Sequence, residues 1–119
     1  MDNKFTALYA HSKKVQVFGS LMEAVTQLRP SKPLYVFNPT VIEKTAREFV
    51  SAFPGQTLYA VKTNPDEIAL NAMRKGGVQA YDVASLDEIA LVKSLDPSAH
   101  LYFMHPVKAP EDIRAAYFD

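Results

Sequence analysis

The chain has 119 residues, of which 48% are hydrophobic and 22% charged, and 13 basic residues balance 13 acidic ones. This composition is typical of a globular domain and excludes intrinsic disorder. The balanced charge, without runs of one sign, argues against a nucleic-acid or membrane partner, and no segment is apolar over a membrane-spanning length. Because cysteine is absent, disulfides and thiolate metal sites are excluded, which fits a cytoplasmic location.

Residues 1–32 are predicted to form a strand and helix ahead of the main domain. The segment KKVQVFG alternates valine with polar residues, which indicates a short strand. Ser20 and Glu23 then have the spacing of a capping box, which predicts the start of a helix. The sequence RPSKP at 29–33 would end this helix and mark the domain boundary.

From residue 33 onward the sequence repeats an apolar run followed by a helical pattern. Four predicted strands read LYVF (34–37), TLYAVK (57–62), VQAYDVA (78–84) and HLYFM (100–104). The helices that follow are predicted to begin near Asn38-Pro39, Asn64-Pro65, Ser85 and Pro110. Four strand-then-helix units predict right-handed crossovers and a parallel sheet, hence an α/β fold.

Two architectures fit this α/β pattern, and the pattern alone leaves both open. An open doubly wound sheet could be complete at this length, whereas a TIM-type barrel needs about 250 residues, so that the chain would be its first half. No glycine-rich fingerprint follows any predicted strand, which argues against a Rossmann or P-loop nucleotide site.

Lys62 is the first candidate for chemistry because it follows an apolar strand directly. The carboxyl ends of parallel strands are where α/β proteins bind ligands. We expect an apolar wall there to favour the uncharged amine, which could then act as a nucleophile. The alternative is an ordinary lysine whose stem covers a strand end.

Three ordered segments resemble a known family: YAVKTNPD (59–66), YDVAS with EIALVKSL (81–95) and YFMHPVKAPEDIRAA (102–116). They are similar to the N-terminal barrel half of the fold-type III pyridoxal-phosphate-dependent decarboxylases, which share the alanine racemase-like barrel and act on ornithine, diaminopimelate, lysine or arginine. The resemblance implies that residues 33–119 are the first four β/α units of such a barrel. The rest of the barrel and a C-terminal β domain would be absent, so we expect the chain alone to be inactive.

The resemblance also implies roles for single residues. Lys62 matches the lysine that holds pyridoxal phosphate through a Schiff base. Asp82 matches an acidic position near the cofactor, although it could instead mark a strand end, and Ala60 matches a small residue beside the ring, although core packing explains it equally. Glu88 matches a glutamate near the cofactor, but its spacing from Ser85 favours a capping box. No residues are expected to bind a metal.

His105 makes the sequence most similar to bacterial ornithine decarboxylases, since the eukaryotic enzymes usually have asparagine at this position. We expect local backbone groups to satisfy its imidazole. The implied reaction is decarboxylation of a small basic amino acid, ornithine above all, to a diamine in polyamine biosynthesis, by a cytoplasmic homodimer. Three alternatives stay open: a non-catalytic regulatory relative, a pyridoxal-phosphate carrier with the same barrel, and a flavodoxin-like binding module.

Overall fold

The computed structural model describes the backbone of residues 5–9 and 12–118 and the side chains of residues 15–118. Its strands are β1 (Phe5–Tyr9), β2 (Ser12–Phe18), β3 (Tyr35–Phe37), β4 (Leu58–Ala60), β5 (Ala80–Val83) and β6 (His100–Phe103). Its α-helices are α1 (Leu21–Leu28), α2 (Pro39–Ala52), α3 (Glu67–Lys75), α4 (Leu86–Leu95) and α5 (Pro110–Phe118). None of the helices in the described part is both long and apolar enough to cross a membrane.

An antiparallel sheet in the order β2-β1-β3 forms the N-terminal part of the fold. The prediction that the strand at 34–37 would join the parallel sheet is wrong, because β3 pairs antiparallel with β1. The reason is a small separate core, in which Val36 and Leu34 pack against the buried side chains of Phe18 and Ala24. The strand therefore buries its apolar side chains in this core and not beside β4.

Helix α1 starts where the capping-box spacing predicted. The hydroxyl of Ser20 accepts a hydrogen bond from the Glu23 amide at 3.1 Å, and the Glu23 carboxylate accepts one from the Gly19 amide at 2.8 Å. The Glu23 amide in the first helical turn and the Gly19 amide just before the N-cap are thereby satisfied.

The parallel sheet has the order β4-β5-β6 and confirms the α/β class that the strand–helix alternation predicted. It is consistent with the N-terminal half of a TIM-type barrel. One face of the sheet packs against the helices. The buried side chains of this core are Ala46, Val61, Leu70, Val78, Tyr81, Val83, Val92 and Ala99.

Helix α2 lies very close to Gly76, the residue that ends α3. A Cβ atom added at this glycine would lie 2.5 Å from the Ala46 Cβ and 2.7 Å from the Glu43 carbonyl oxygen. The backbone φ of Gly76 is −74°, an angle open to any residue, so the constraint on this position is steric and not conformational.

We predict that Gly76→Ala lowers the free energy of unfolding by about 1–3 kcal/mol, because the methyl group would force α2 and α3 apart. Urea denaturation measures this change. Gly55→Ala is the matched control, since its Cβ would meet only the edge of the Phe53 ring, which is about half exposed and can move. Equal losses in the two variants would contradict the close-approach explanation.

Candidate functional site

Lys62 lies at the carboxyl end of β4, as the sequence predicted. The strand ends at Ala60, and the chain turns at once into a single 3₁₀ turn, Val61–Thr63. Val61 is fully buried, whereas the side chain of Lys62 is exposed. The expected apolar wall around the amine is therefore not found among the described residues. The cause is the turn, which breaks the alternation of the strand and directs Lys62 to the solvent.

Hydrogen bonds on both sides fix the turn that carries Lys62. The Tyr59 hydroxyl donates to the Asn64 carbonyl at 3.2 Å, and the Asn64 amide donates to the Val61 carbonyl at 3.1 Å. Burial raises the pKa of the Tyr59 phenol, so this hydroxyl keeps its proton and stays a donor at neutral pH. The turn is thus tied to the core side chain of the preceding strand.

Helix α3 begins two residues later than predicted. The N-cap is Asp66, whose carboxylate accepts a hydrogen bond from the Ile68 amide at 2.8 Å. Asn64, the predicted cap, instead accepts from the Asp66 amide at 3.1 Å. The prediction of Asn64 as the N-cap is wrong because its side chain closes a local turn before the helix starts.

Ala60 and Asp82 are direct neighbours on adjacent strands, and Tyr102 is the next residue across on β6. Residues in parallel register share one face of the sheet, and their chain neighbours Tyr59 and Tyr81 belong to the core on the other face. These three residues, here called the inner layer, therefore lie on the face away from the helices.

Within the inner layer Asp82 is half-buried, and its carboxylate has no hydrogen bond or ion pair with another described residue. A carboxylate that is partly removed from water without a partner is costly, so the position has capacity for a donor from a ligand or another part of the protein. Ala60 beside it has only a methyl group. The two residues thus combine a free acceptor with a small neighbouring side chain.

Tyr102 is the member of the inner layer that the sequence analysis missed. Its hydroxyl donates to the side-chain carbonyl of Gln56 at 2.8 Å, a contact between residues 46 positions apart. The tyrosine falls at ordinary strand spacing, so periodicity gives no reason to select it. Aligning the predicted strand at 78–84 with the one at 100–104 in parallel register would have placed Tyr102 beside Asp82.

Glu88 completes a capping box at the start of α4. The Ser85 hydroxyl accepts a hydrogen bond from the Glu88 amide at 3.2 Å, and the Glu88 carboxylate accepts one from the Ala84 amide at 2.7 Å. The cap that the Ser85–Glu88 spacing favoured is therefore present. Since Ala84 follows β5 directly, Glu88 also stands at the same edge of the sheet as Lys62.

In the turn after β6, the polar side chains contact nearby backbone groups. The Nδ1 atom of His105 lies 2.8 Å from the Val107 carbonyl and 3.3 Å from the Val107 amide, so the local backbone satisfies this nitrogen of the imidazole. The Lys108 amine donates to the Phe103 carbonyl at 2.6 Å and lies 5.0 Å from the centroid of the Phe103 ring. Lys108 thereby caps the end of β6, while Lys62 makes no comparable hydrogen bond with the described residues.

We predict that Glu88→Ala lowers the free energy of unfolding by about 1 kcal/mol, because the Ala84 amide loses its acceptor. Glu88→Gln should retain most of the stability, since the amide oxygen can still accept. Asp87→Ala is the control: it removes a carboxylate from the same helical turn that makes no described hydrogen bond. Denaturant unfolding measures all three variants, and an equal loss for Asp87→Ala and Glu88→Ala would contradict the role of Glu88 as a cap.

The chain matches a known protein family. Residues 40–118, about two thirds of the chain, match the family of pyridoxal-dependent decarboxylases over the pyridoxal binding domain. No curated protein and no solved structure compared with the chain gave a match. The match includes the turn with Lys62, the inner layer and the capping box of Glu88.

The described residues fit part of pyridoxal phosphate. Lys62 offers a free primary amine for its aldehyde, and the inner layer offers the unpartnered Asp82 carboxylate beside the small Ala60. A glycine-rich phosphate cradle is not found in residues 12–118, where the glycines are Gly19, Gly55, Gly76 and Gly77. The chain belongs to the pyridoxal-dependent decarboxylase family, and its cofactor is pyridoxal phosphate.

Proposed function

We propose that the protein containing this chain removes the carboxylate of ornithine and releases the corresponding diamine for polyamine biosynthesis. Lys62 carries the proposal, because its unengaged amine follows a parallel strand directly, at the edge of the sheet where such folds bind ligands. The family match supports decarboxylation as the reaction class. Ornithine rests on the similarity of the YDVAS and HPVK segments to the bacterial branch of the family.

Each of the predicted site residues has a distinct part in this proposal. Pyridoxal phosphate, when bound, withdraws electrons from the substrate's α-carbon and so permits loss of the carboxylate. Lys62 would anchor the cofactor through its deprotonated amine, which the substrate's amine would later replace. Asp82 would accept a hydrogen bond from the bound group, and Ala60 would leave room for its ring. Glu88 holds the end of β5 in place through the Ala84 amide.

We assign the remaining binding groups to parts of the protein outside residues 33–119. These are the phosphate cradle, the acid that pairs with the pyridine nitrogen, and a second subunit that completes the site in a homodimer. They would also exclude water from Lys62, which the described residues leave exposed. A cytoplasmic location fits the absence of cysteine.

We predict that the natural gene product containing this chain releases labelled carbon dioxide from carboxyl-labelled ornithine faster than from lysine, arginine or diaminopimelate. Lys62→Arg should reduce kcat by more than about a hundredfold, because a guanidinium does not lose its proton at neutral pH and cannot anchor the aldehyde. The measurement is kcat/KM for each of the four substrates, with added pyridoxal phosphate.

Lys44→Arg is the matched control, since Lys44 is an exposed lysine on α2 that pairs with Glu48 one helical turn away. It should leave the rate unchanged. Preference for another of the four substrates would overturn ornithine as the substrate but would leave the reaction class unchanged. Full activity in Lys62→Arg would overturn the role of Lys62.

A non-catalytic relative that uses the same barrel for regulation is the second candidate. The observation in its favour is the exposure of Lys62, because a decarboxylase needs its amine in a site from which water is excluded. The two candidates differ in one result. A regulator would release no carbon dioxide from any of the four substrates, whether or not it binds pyridoxal phosphate.

A further inference from the structure

A polar cavity lies at the amino end of the parallel sheet, opposite the end that carries Lys62. The loop at 76–79 before β5 and the loop at 96–99 before β6 form its walls. Its volume is about 340 Å³, within the range of small-ligand sites. Neither the inner layer nor the Lys62 turn contributes to it, so the cavity has no part in the function proposed above.

Asp96 supplies a negative charge to this cavity. The Ser98 hydroxyl and amide donate to its Oδ1 atom at 2.6 and 3.0 Å, which leaves the Oδ2 atom for another donor. The hydrogen bond from the Ser98 hydroxyl lowers the pKa of Asp96, and the charges of Arg74 and Lys93 act in the same direction. The carboxylate is therefore ionised at neutral pH.

Arg74 supplies a positive charge to the same cavity. Its guanidinium makes one long hydrogen bond, 3.4 Å to the Asn71 side-chain carbonyl, so most of its donors are unused. Although its charge acts on Asp96, the two side chains do not form an ion pair within 4.0 Å. Two opposite charges thus line one cavity without neutralising each other.

We propose that this cavity binds a free α-amino acid, with its carboxylate on Arg74 and its ammonium group on Asp96. A guanidinium presents a planar pair of donors that matches a carboxylate, and the free Oδ2 atom of Asp96 is an acceptor for an ammonium group. The exposed imidazole of His100 lines the same cavity and would contact the side chain of the ligand. A ligand with only one of the two charges would leave unused either the remaining donors of Arg74 or the Oδ2 atom of Asp96.

The experiment is a titration of the ¹⁵N-labelled chain with L-norvaline, an amino acid with an uncharged side chain, followed by two-dimensional amide NMR. We expect saturable shifts of the amides of Gly77, Gln79, Ser98 and His100. Butylamine and pentanoate, which each lack one of the two charged groups of norvaline, should give no saturable shifts at these amides. These probes separate zwitterion binding from the binding of a cation or an anion alone.

Arg74→Gln should raise the apparent Kd for L-norvaline by about tenfold, the loss expected for a charge-assisted hydrogen bond. Asp96→Asn should raise it similarly while keeping an oxygen that accepts from Ser98. Lys75→Gln, a change in the adjacent exposed residue that does not line the cavity, should leave the Kd unchanged. The proposal is overturned by the absence of saturable shifts, by equal binding of pentanoate, or by an unchanged Kd in Arg74→Gln.

Discussion

The parallel pairing of β4 with β5 is the constraint on which the rest of the site depends. It sets Ala60 directly beside Asp82 and brings the ends of the two strands to one edge of the sheet. The pairing is held from the core side, where the rings of Tyr59 and Tyr81 meet edge to face with centroids 6.5 Å apart. Tyr81 and Val83 are both almost completely buried, so a shift of register would expose them and bury Asp82 among the helices.

The turn after β4 fixes the backbone at Lys62, the residue that we propose anchors the cofactor. The buried Val61 and the hydrogen bonds of Asn64 fix the backbone on either side, so the core sets the point at which the Lys62 side chain leaves the backbone. The amine itself remains exposed and unengaged. Lys108, which follows β6, differs from Lys62 because its amine donates a hydrogen bond to the Phe103 carbonyl.

The sequence predicted those features that depend on local hydrogen bonds and on short-range pattern. The caps at Ser20, Asn38 and Ser85 form as their spacing indicated, and the helices start beside them. The predicted start of α3 was wrong because Asn64 and Asp66 both suit an N-cap. Sequence pattern does not rank two candidates that lie this close together. The exposure of Lys62 was missed because a single 3₁₀ turn replaces the last predicted residues of the strand.

Features that depend on pairing between distant segments could not be predicted from periodicity. Strand β3 is as apolar as the strands of the parallel sheet, yet it pairs with β1. The sequence pattern did not reveal this pairing. Tyr102 likewise has no distinctive spacing, and only the register of β5 with β6 places it next to Asp82. The resemblance to the family supplied candidate site residues that elementary pattern left undecided, and the match over residues 40–118 confirms the family but not these residues.

The most direct test of the central claim is to find which amine of the natural gene product carries the cofactor. The protein is incubated with pyridoxal phosphate, reduced with borohydride, digested and mapped by mass spectrometry. The account predicts one phosphopyridoxyl group for each chain, attached to Lys62. A group located on another lysine, or spread over the exposed lysines such as Lys44 and Lys75, would contradict it.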